Sequence, residues 1–355
     1  MTEKQKEKSR AYWKERFEQI EDARHRDADG FIRRAQEAVR EAETQIQADI
    51  LKWYQRLAEN NEVSLSEARR LLKGNELKEF RWSVERYIEA GREYGMDGSW
   101  AKELENASAK FHITRLEALQ MDVRNSFERL FAKENAAVSD AAQRAYQEGY
   151  YRTVFELQKD AGVGFNVAAI DRSAFEKLVK RPWAADGQNF SDRLWTKKEE
   201  LFNELSRLML RNITLGRPPG EIVEAIAKKF GAQERDAARL VYTESAYFGT
   251  LSQLEAFEEL DVEYVEFTAT LDERTSDECR DADGAVIPTK DVQPGVNAPP
   301  LHPNCRSCLA PFYEEMKGVG GRWARNPKTG KGKIIPSGMK YREWKKQYVD
   351  EADTD

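Results

Sequence analysis

The amino-acid sequence predicts a mainly α protein with a small C-terminal α+β unit. Long stretches carry apolar residues every three or four positions, and the period changes to two after Val262. A cluster of Cys and His residues coincides with that change of period. We therefore expect long amphipathic helices, short antiparallel strands around a Cys/His cluster, and an extended basic tail.

Five segments differ in composition, and at 355 residues the chain is long enough for about two domains. Residues 1–160 are predicted to form a helical N-terminal interaction region, and 161–190 a connector with a short helix. A helical layer (191–260) precedes the small α+β unit (261–313). The remainder, 314–355, is rich in Gly, Lys and Arg, and we call it the basic tail.

Helices are predicted throughout the N-terminal region. Between Ala35 and Leu57 the apolar residues follow steps of three and four, which places them on one stripe. Ser64 and Glu67 form a capping-box pattern before a helix that Gly74 is placed to end. These stripes are typical of core packing or helix pairing. Further helical patterns cover 76–93, 99–131 and 136–160.

Three more helices are predicted in the helical layer. Ser191 caps the first, which stops near Gly216. Pro218 and Pro219 suit the start of the second, which is expected to end at Gly231. The third covers about 233–258.

Strands are predicted after the helical layer. From Val265 to Leu271 apolar and polar residues alternate, which indicates a half-buried strand. Asp283 and Gly284 form a hairpin-type turn that leads to a short strand at 285–287. A third strand is expected at 309–313.

All three cysteines and one of the three histidines fall within this unit. Their spacing is C-x22-H-x2-C-x2-C, formed by Cys279, His302, Cys305 and Cys308. Zinc prefers thiolate and imidazole ligands in a tetrahedron, and a closed set of four is typical of a structural site. The sequence is also compatible with buried thiols beside a hydrogen-bonded His. It therefore predicts either one structural Zn²⁺ or no cofactor.

Catalytic patterns are scarce, and no enzymatic activity is predicted. The chain has no G-x-S-x-G, no H-E-x-x-H and no complete phosphate-binding loop. A catalytic metal or nucleophilic cysteine involving His302 and Cys305 remains a minor alternative. Glu244, in the sequence YTES, is expected to have a surface or capping role.

The basic tail is a candidate nucleic-acid contact. Between Lys317 and Lys346 it has ten basic residues and one acid, Glu343. Lys and Arg neutralise phosphates, and Trp323, Tyr341 and Trp344 offer rings that can stack on bases. A solvated tail, or one docked on an acidic partner, explains the same composition. The candidate nucleic-acid-binding residues are Arg322, Trp323, Arg325, Lys328, Lys331, Lys333, Lys340, Lys345 and Lys346.

The overall composition bears on where the protein is made and on which partners it can bind. The formal net charge is −6, so the whole molecule is not a generic binder of polyanions. The charged N-terminus lacks the apolar core of a secretory signal, and no apolar run is long enough for a membrane helix. Three clustered cysteines fit a reducing compartment better than a disulfide framework. We expect a protein made in a cytoplasm, with no membrane partner.

Five stretches of the sequence resemble one known family. LDERTSDECRDADG (271–284) followed by PPLHPNCRSCLAPFY (299–313) is similar to the C-terminal signature of phage head-morphogenesis, or minor capsid, proteins of the Mu protein F type. RLVYTESAY (239–247) resembles the helix before that signature, although Tyr242 replaces the usual Arg. YWKERFEQIEDA (12–23) and IIPSGMKYREW (334–344) resemble versions from phages and prophages of Gram-positive bacteria.

The resemblance implies a low-copy virion protein that is not an enzyme. Such a protein would bind the portal during procapsid assembly and assist DNA packaging, retention or ejection. Its expected partners are the portal protein, with scaffolding protein, major capsid protein and packaged double-stranded DNA as further candidates. The implied location is the capsid interior at the portal vertex, after assembly in the host cytoplasm. The alternative function is a zinc-stabilised DNA-binding protein that acts through the basic tail.

Overall fold

The computed structural model describes most of the chain. The described residues are 3–58, 70–72, 74–93, 102, 104, 114–167, 170, 172–184, 186–313, 333–334 and 339–350. They fall into two compact units, each assembled from separate stretches of sequence. The first unit comprises 1–31, 138–189 and 239–355, and the second comprises 32–137 and 190–238.

Long helices dominate both units, as the apolar periodicity predicts. In chain order the helices, long and short, are α1 (Glu3–Ala58), α2 (Asn75–Glu93), α3 (Arg115–Ala161), α4 (Arg172–Leu178), α5 (Phe190–Thr214), α6 (Pro219–Glu259), α7 (Asp277–Ala282) and α8 (Tyr341–Lys345). A 3₁₀ turn spans Thr289–Asp291, and a π-helical turn (Lys346–Asp350) follows α8. No helix within the described ranges is long and apolar enough to cross a bilayer.

Two of the predicted helix boundaries are wrong. Residues 131–136 continue α3 without interruption, and Gly231 lies inside α6 instead of ending it. A glycine in a helix interior costs only about 1 kcal/mol, so the packing of a long helix outweighs it. The predicted helix before Gly74 lies largely outside the described residues, and Leu71 forms an isolated antiparallel bridge with Thr114.

The first unit contains a three-stranded antiparallel sheet in the order β3-β2-β4. Its strands are β2 (Tyr264–Thr268), β3 (Val286–Pro288) and β4 (Cys308–Phe312). Val265, at the centre of β2, pairs with Ile287 on one side and Pro311 on the other. The predicted strands are confirmed, and so is the fold class.

The central strand differs from its prediction in burial. Alternation predicted one buried face, but Glu266 is 1% exposed and Thr268 is 2% exposed. The buried carboxylate of Glu266 accepts hydrogen bonds from Arg10 at 2.9 and 2.6 Å, and Lys14 lies 2.9 Å away. The polar face of β2 is therefore covered by the start of α1, which supplies the charges that a buried carboxylate requires.

The core of the first unit surrounds this sheet. Phe17 of α1, Phe257 of α6 and Phe267 of β2 are completely buried within it. Helices α3 and α6 approach closely at Gly149 and Gly249, where a Cβ on Gly149 would lie 3.0 Å from the Gly249 carbonyl oxygen. A short two-stranded pairing joins β1 (Val163–Gly164) to β5 (Lys333–Ile334).

The second unit is mainly helical in its described residues. Phe127 is its aromatic centre, with the rings of Phe131, Phe202 and Phe230 between 5.8 and 6.3 Å away. Lys198 donates a hydrogen bond of 2.6 Å to the buried carboxylate of Glu128. Apolar packing and paired charges therefore both contribute to this unit.

Candidate functional site

The candidate site is a cluster of three side chains beside the sheet. The Cys279 thiol lies 3.3 Å from Nε2 of His302 and 3.7 Å from the Cys305 thiol. The nearest ligand atoms of Cys279, His302 and Cys305 all lie within 4.8 Å of one another. Both cysteines are buried and His302 is half-buried. Three of the four predicted ligands are thus assembled by the fold.

Local structure positions each of these side chains. Ser276 caps α7 by accepting a hydrogen bond of 3.2 Å from the backbone N–H of Cys279. His302 and Cys305 belong to one turn, in which the Cys305 N–H donates to the His302 carbonyl at 3.2 Å. Asn304 closes that turn with a φ of 60°, a left-handed conformation that Asn tolerates well.

Burial and hydrogen bonding separate the three thiols chemically. The pKa of Cys279 is lowered to about 5, above all by its hydrogen bond with Cys305 and in spite of burial. The same hydrogen bond, together with burial, raises the pKa of Cys305. Burial raises the pKa of Cys308 to about 12. Negative charge in the cluster therefore resides first on the Cys279 sulfur.

Cys308, the fourth predicted ligand, is not part of the cluster that the described residues form. It begins β4, where its backbone pairs with Thr268, and its side chain is buried. The charged groups that act on its thiol are Glu18, Arg24, Lys14 and Asp22, all from α1. The sequence spacing alone could not separate Cys308 from the other three ligands, because it does not show which way β4 turns the side chain.

The two signature motifs are joined by an ion pair. The Arg306 guanidinium donates hydrogen bonds of 2.7 and 2.6 Å to the two carboxylate oxygens of Asp272. Arg306 also holds the pKa of Asp272 well below its usual range, with help from the backbone N–H of Arg274. The motifs by themselves did not identify this pair. The signal was the shared occurrence of DERT and NCR in one signature.

Helix α6, which carries the YTES sequence, contacts the turn that holds His302 and Cys305. The backbone N–H of Asn304 donates a hydrogen bond of 3.3 Å to the Thr243 hydroxyl on α6. Next along the helix, Glu244 accepts a hydrogen bond of 3.0 Å from the Trp183 indole. Glu244 is 1% exposed, so the predicted surface or capping role is wrong. Its carboxylate is a buried polar partner for the connector.

These contacts gather the motifs into one structural unit in which the sheet, α6 and the His302 turn are bound to each other. Residues 203–310 match a family model described as Phage Mu protein F like protein. The family resemblance inferred from the motifs is confirmed over this Mu F-like segment, which runs from α5 into β4. The match supports a phage head-morphogenesis protein.

The Mu F-like segment covers a little less than a third of the chain. No curated protein and no solved structure matched the sequence. The match supports a structural component of the phage head, with a place in the virion and contacts with other virion components. The expectation that the protein is not an enzyme stays a prediction.

The last part of the basic tail is docked in the core of the first unit. Trp344 on α8 is completely buried, and its indole N–H donates a hydrogen bond of 2.7 Å to Gln158. The Tyr341 hydroxyl donates to Glu148 at 2.8 Å, and the Lys345 ammonium also bonds to Glu148. The composition of the basic tail suggested that Trp344 could stack on bases. Because the ring is buried in this fold, that expectation is wrong.

The remaining nucleic-acid candidates stay predictions. Lys340 and Lys346 are exposed beside the docked segment. Lys333 lies in β5. The other five lie outside the described residues, and they are Arg322, Trp323, Arg325, Lys328 and Lys331.

Proposed function

We propose that this protein is a minor capsid protein that binds the portal during procapsid assembly and assists DNA packaging, retention or ejection. Its working location would be the capsid interior at the portal vertex, after assembly in the host cytoplasm. Scaffolding protein, major capsid protein and packaged DNA are further candidate partners.

The Mu F-like segment is the observation that carries the proposal. Within it, the contacts of Asp272 with Arg306 and of Thr243 with Asn304 hold the signature motifs in one unit. Such contacts stabilise the fold, so we infer a mainly structural role for the signature motifs. A protein that assembles with others needs a stable surface more than a reactive centre.

Helical length supports an assembly role as well. Helices α1, α3 and α6 contain 56, 47 and 41 residues, well above the usual three or four turns. Exposed large apolar side chains occur in both units, including Trp82 at 57% and Val296 at 71% exposure. Exposed apolar residues are candidates for contact with other subunits, although single ones are common on any surface.

Co-expression with a portal protein from the same phage tests the proposal. The two proteins would be separated by size-exclusion chromatography and their masses measured by light scattering. We expect co-elution at a defined stoichiometry. Separate elution of two soluble proteins at micromolar concentration would contradict direct portal binding.

Two surface variants would locate the contact. Trp82→Ser changes an exposed ring in the second unit, and Val296→Ser changes an exposed side chain in the first. Each leaves the cores intact, so loss of co-elution in only one variant assigns the interface to that unit. Deletion of the gene from the phage should also abolish infectious particles. Infectious particles that form without the gene would contradict a required role in assembly.

A further inference from the structure

We propose that Cys279, His302 and Cys305 form a zinc site with three protein ligands, and that Cys308 is outside it. The proposal concerns this chain's own site and does not depend on portal binding. It differs from the four-ligand set that sequence spacing suggests, because the fold brings together only three of those side chains.

Two of the three ligand distances match the edges of a single tetrahedral site, and the third is within 4.8 Å. Zn–S and Zn–N bonds of about 2.3 and 2.0 Å give tetrahedral edges of about 3.8 Å between two sulfurs and about 3.5 Å between sulfur and nitrogen. The observed Cys279–Cys305 separation is 3.7 Å, and Cys279 Sγ lies 3.3 Å from His302 Nε2. Both edges are therefore available before any side chain moves.

The tautomer of His302 is also suitable for a metal. Its Nδ1 lies 2.9 Å from the carbonyl oxygen of Pro303. A carbonyl oxygen only accepts hydrogen bonds, so Nδ1 must carry the proton. In the neutral ring the lone pair is then on Nε2, the atom that faces Cys279. A backbone carbonyl commonly orients ligating imidazoles in this way.

Charge balance favours two thiolates over three. Two thiolates and a neutral imidazole leave a divalent ion with no net charge, which reduces the cost of burial. Arg24 is a buried cation that interacts electrostatically with Cys305 and Cys308. It is already paired with Glu21 at 2.9 Å. Neither the zinc ion nor the Arg24 guanidinium therefore needs a third thiolate to balance its charge.

The fourth tetrahedral position is left for water in this arrangement. Sites with three protein ligands keep such a position open, whereas closed structural sites use four. His302 is half-buried, so the site lies near enough to the surface for solvent to approach. Cys308 remains a buried, protonated thiol at the start of β4.

The test measures zinc in the full chain, purified without a metal-affinity resin and with reduced thiols. Elemental analysis should find about one zinc per chain in the wild type and in Cys308→Ser. Cys279→Ser and Cys305→Ser should lose it at least tenfold. Cys308→Ser is the matched control, because it removes a thiol that is equally buried and close in sequence.

Replacement of zinc by cobalt(II) supplies a second readout that needs no variant. Thiolate-to-cobalt absorption increases with the number of bound thiolates, and we expect the intensity of two. A wild-type protein that retains neither zinc nor cobalt overturns the site. Absorption for three thiolates, or loss of zinc from folded Cys308→Ser, overturns the three-ligand assignment.

Discussion

The Arg306 guanidinium grips the Asp272 carboxylate with two hydrogen bonds, one to each oxygen, at 2.7 and 2.6 Å. The two residues belong to different motifs and are joined across 34 positions of sequence. Asp272 begins the loop that leads to Cys279, and Arg306 follows Cys305. Their contact therefore fixes the two cysteine-bearing segments relative to each other.

The first prediction concerns that pair. Asp272→Asn should lower the melting temperature slightly at neutral pH, since exposed pairs contribute little. The folded pKa of Asp272 lies below its ordinary value, so its contribution is present above about pH 4 and is lost as the pH falls further. Thermal unfolding between pH 2.5 and 7 should show the two proteins converging at low pH. Asp281→Asn, an exposed change on α7, is the control.

Glu266 should matter more, because it is buried. Burial alone would raise its pKa, but hydrogen bonds from Arg10 and Lys14 outweigh that effect and lower it. Glu266→Gln should reduce the free energy of unfolding by about 1–3 kcal/mol at pH 7. The loss should shrink below about pH 4, where the wild-type carboxylate takes up a proton. Chemical denaturation at both pH values measures this, and exposed Glu263→Gln should change little.

The docking of the chain's last helix predicts a large effect at Trp344. Its ring packs 5.6 Å from the ring of Phe155 and is completely buried. Trp344→Ala should cost about 3–5 kcal/mol of stability. Trp82→Ala removes an exposed indole and should cost less than about 0.5 kcal/mol. Equal stability losses in urea unfolding would show that α8 is not held in the core.

Two glycines make a matched pair. A Cβ at Gly149 would lie 2.4 Å from the Ser252 hydroxyl and 3.0 Å from a backbone carbonyl of Gly249. Gly149→Ala should therefore destabilise the fold by about 1–3 kcal/mol. Gly231 lies inside α6 with nothing within 4 Å of the added atom, so Gly231→Ala should stabilise by about 0.5–1 kcal/mol. Opposite signs in thermal unfolding test the close approach of α3 and α6.

Asp49 predicts a stabilising variant. Burial, and then the nearby charge of Asp122, raises the pKa of Asp49 to about 7. Ionisation of Asp49 therefore destabilises the folded state once the pH exceeds the ordinary Asp pKa, and the full effect is present above pH 7. Asp49→Asn should raise stability by about 1–2 kcal/mol at pH 8 and have little effect near pH 4. Exposed Glu37→Gln on the same helix should be neutral at both.

The predicted hairpin turn at Gly284 is wrong, because that turn ends α7 and does not join two strands. The family signature was accessible to sequence reasoning, and so were the mainly α fold and the three strands. These features depend on local periodicity and on residues a few positions apart, where one conformation satisfies most of the pattern. Helix ends were less predictable. The continuation of α6 through Gly231 depends on packing along the helix, which a local breaker signal does not represent.

The sequence by itself determined the types of residue in the candidate metal cluster and the turn that carries His302 and Cys305. Only the tertiary structure decided that Cys279 joins that turn while Cys308 does not, because strand orientation and α1 set where each thiol points. It likewise decided that Glu266 lies beneath Arg10 and that Trp344 is buried against Gln158. Those partners are separated by 256 and 186 positions. Contacts between such distant residues form only when the whole core assembles, and local sequence carries no pattern for them.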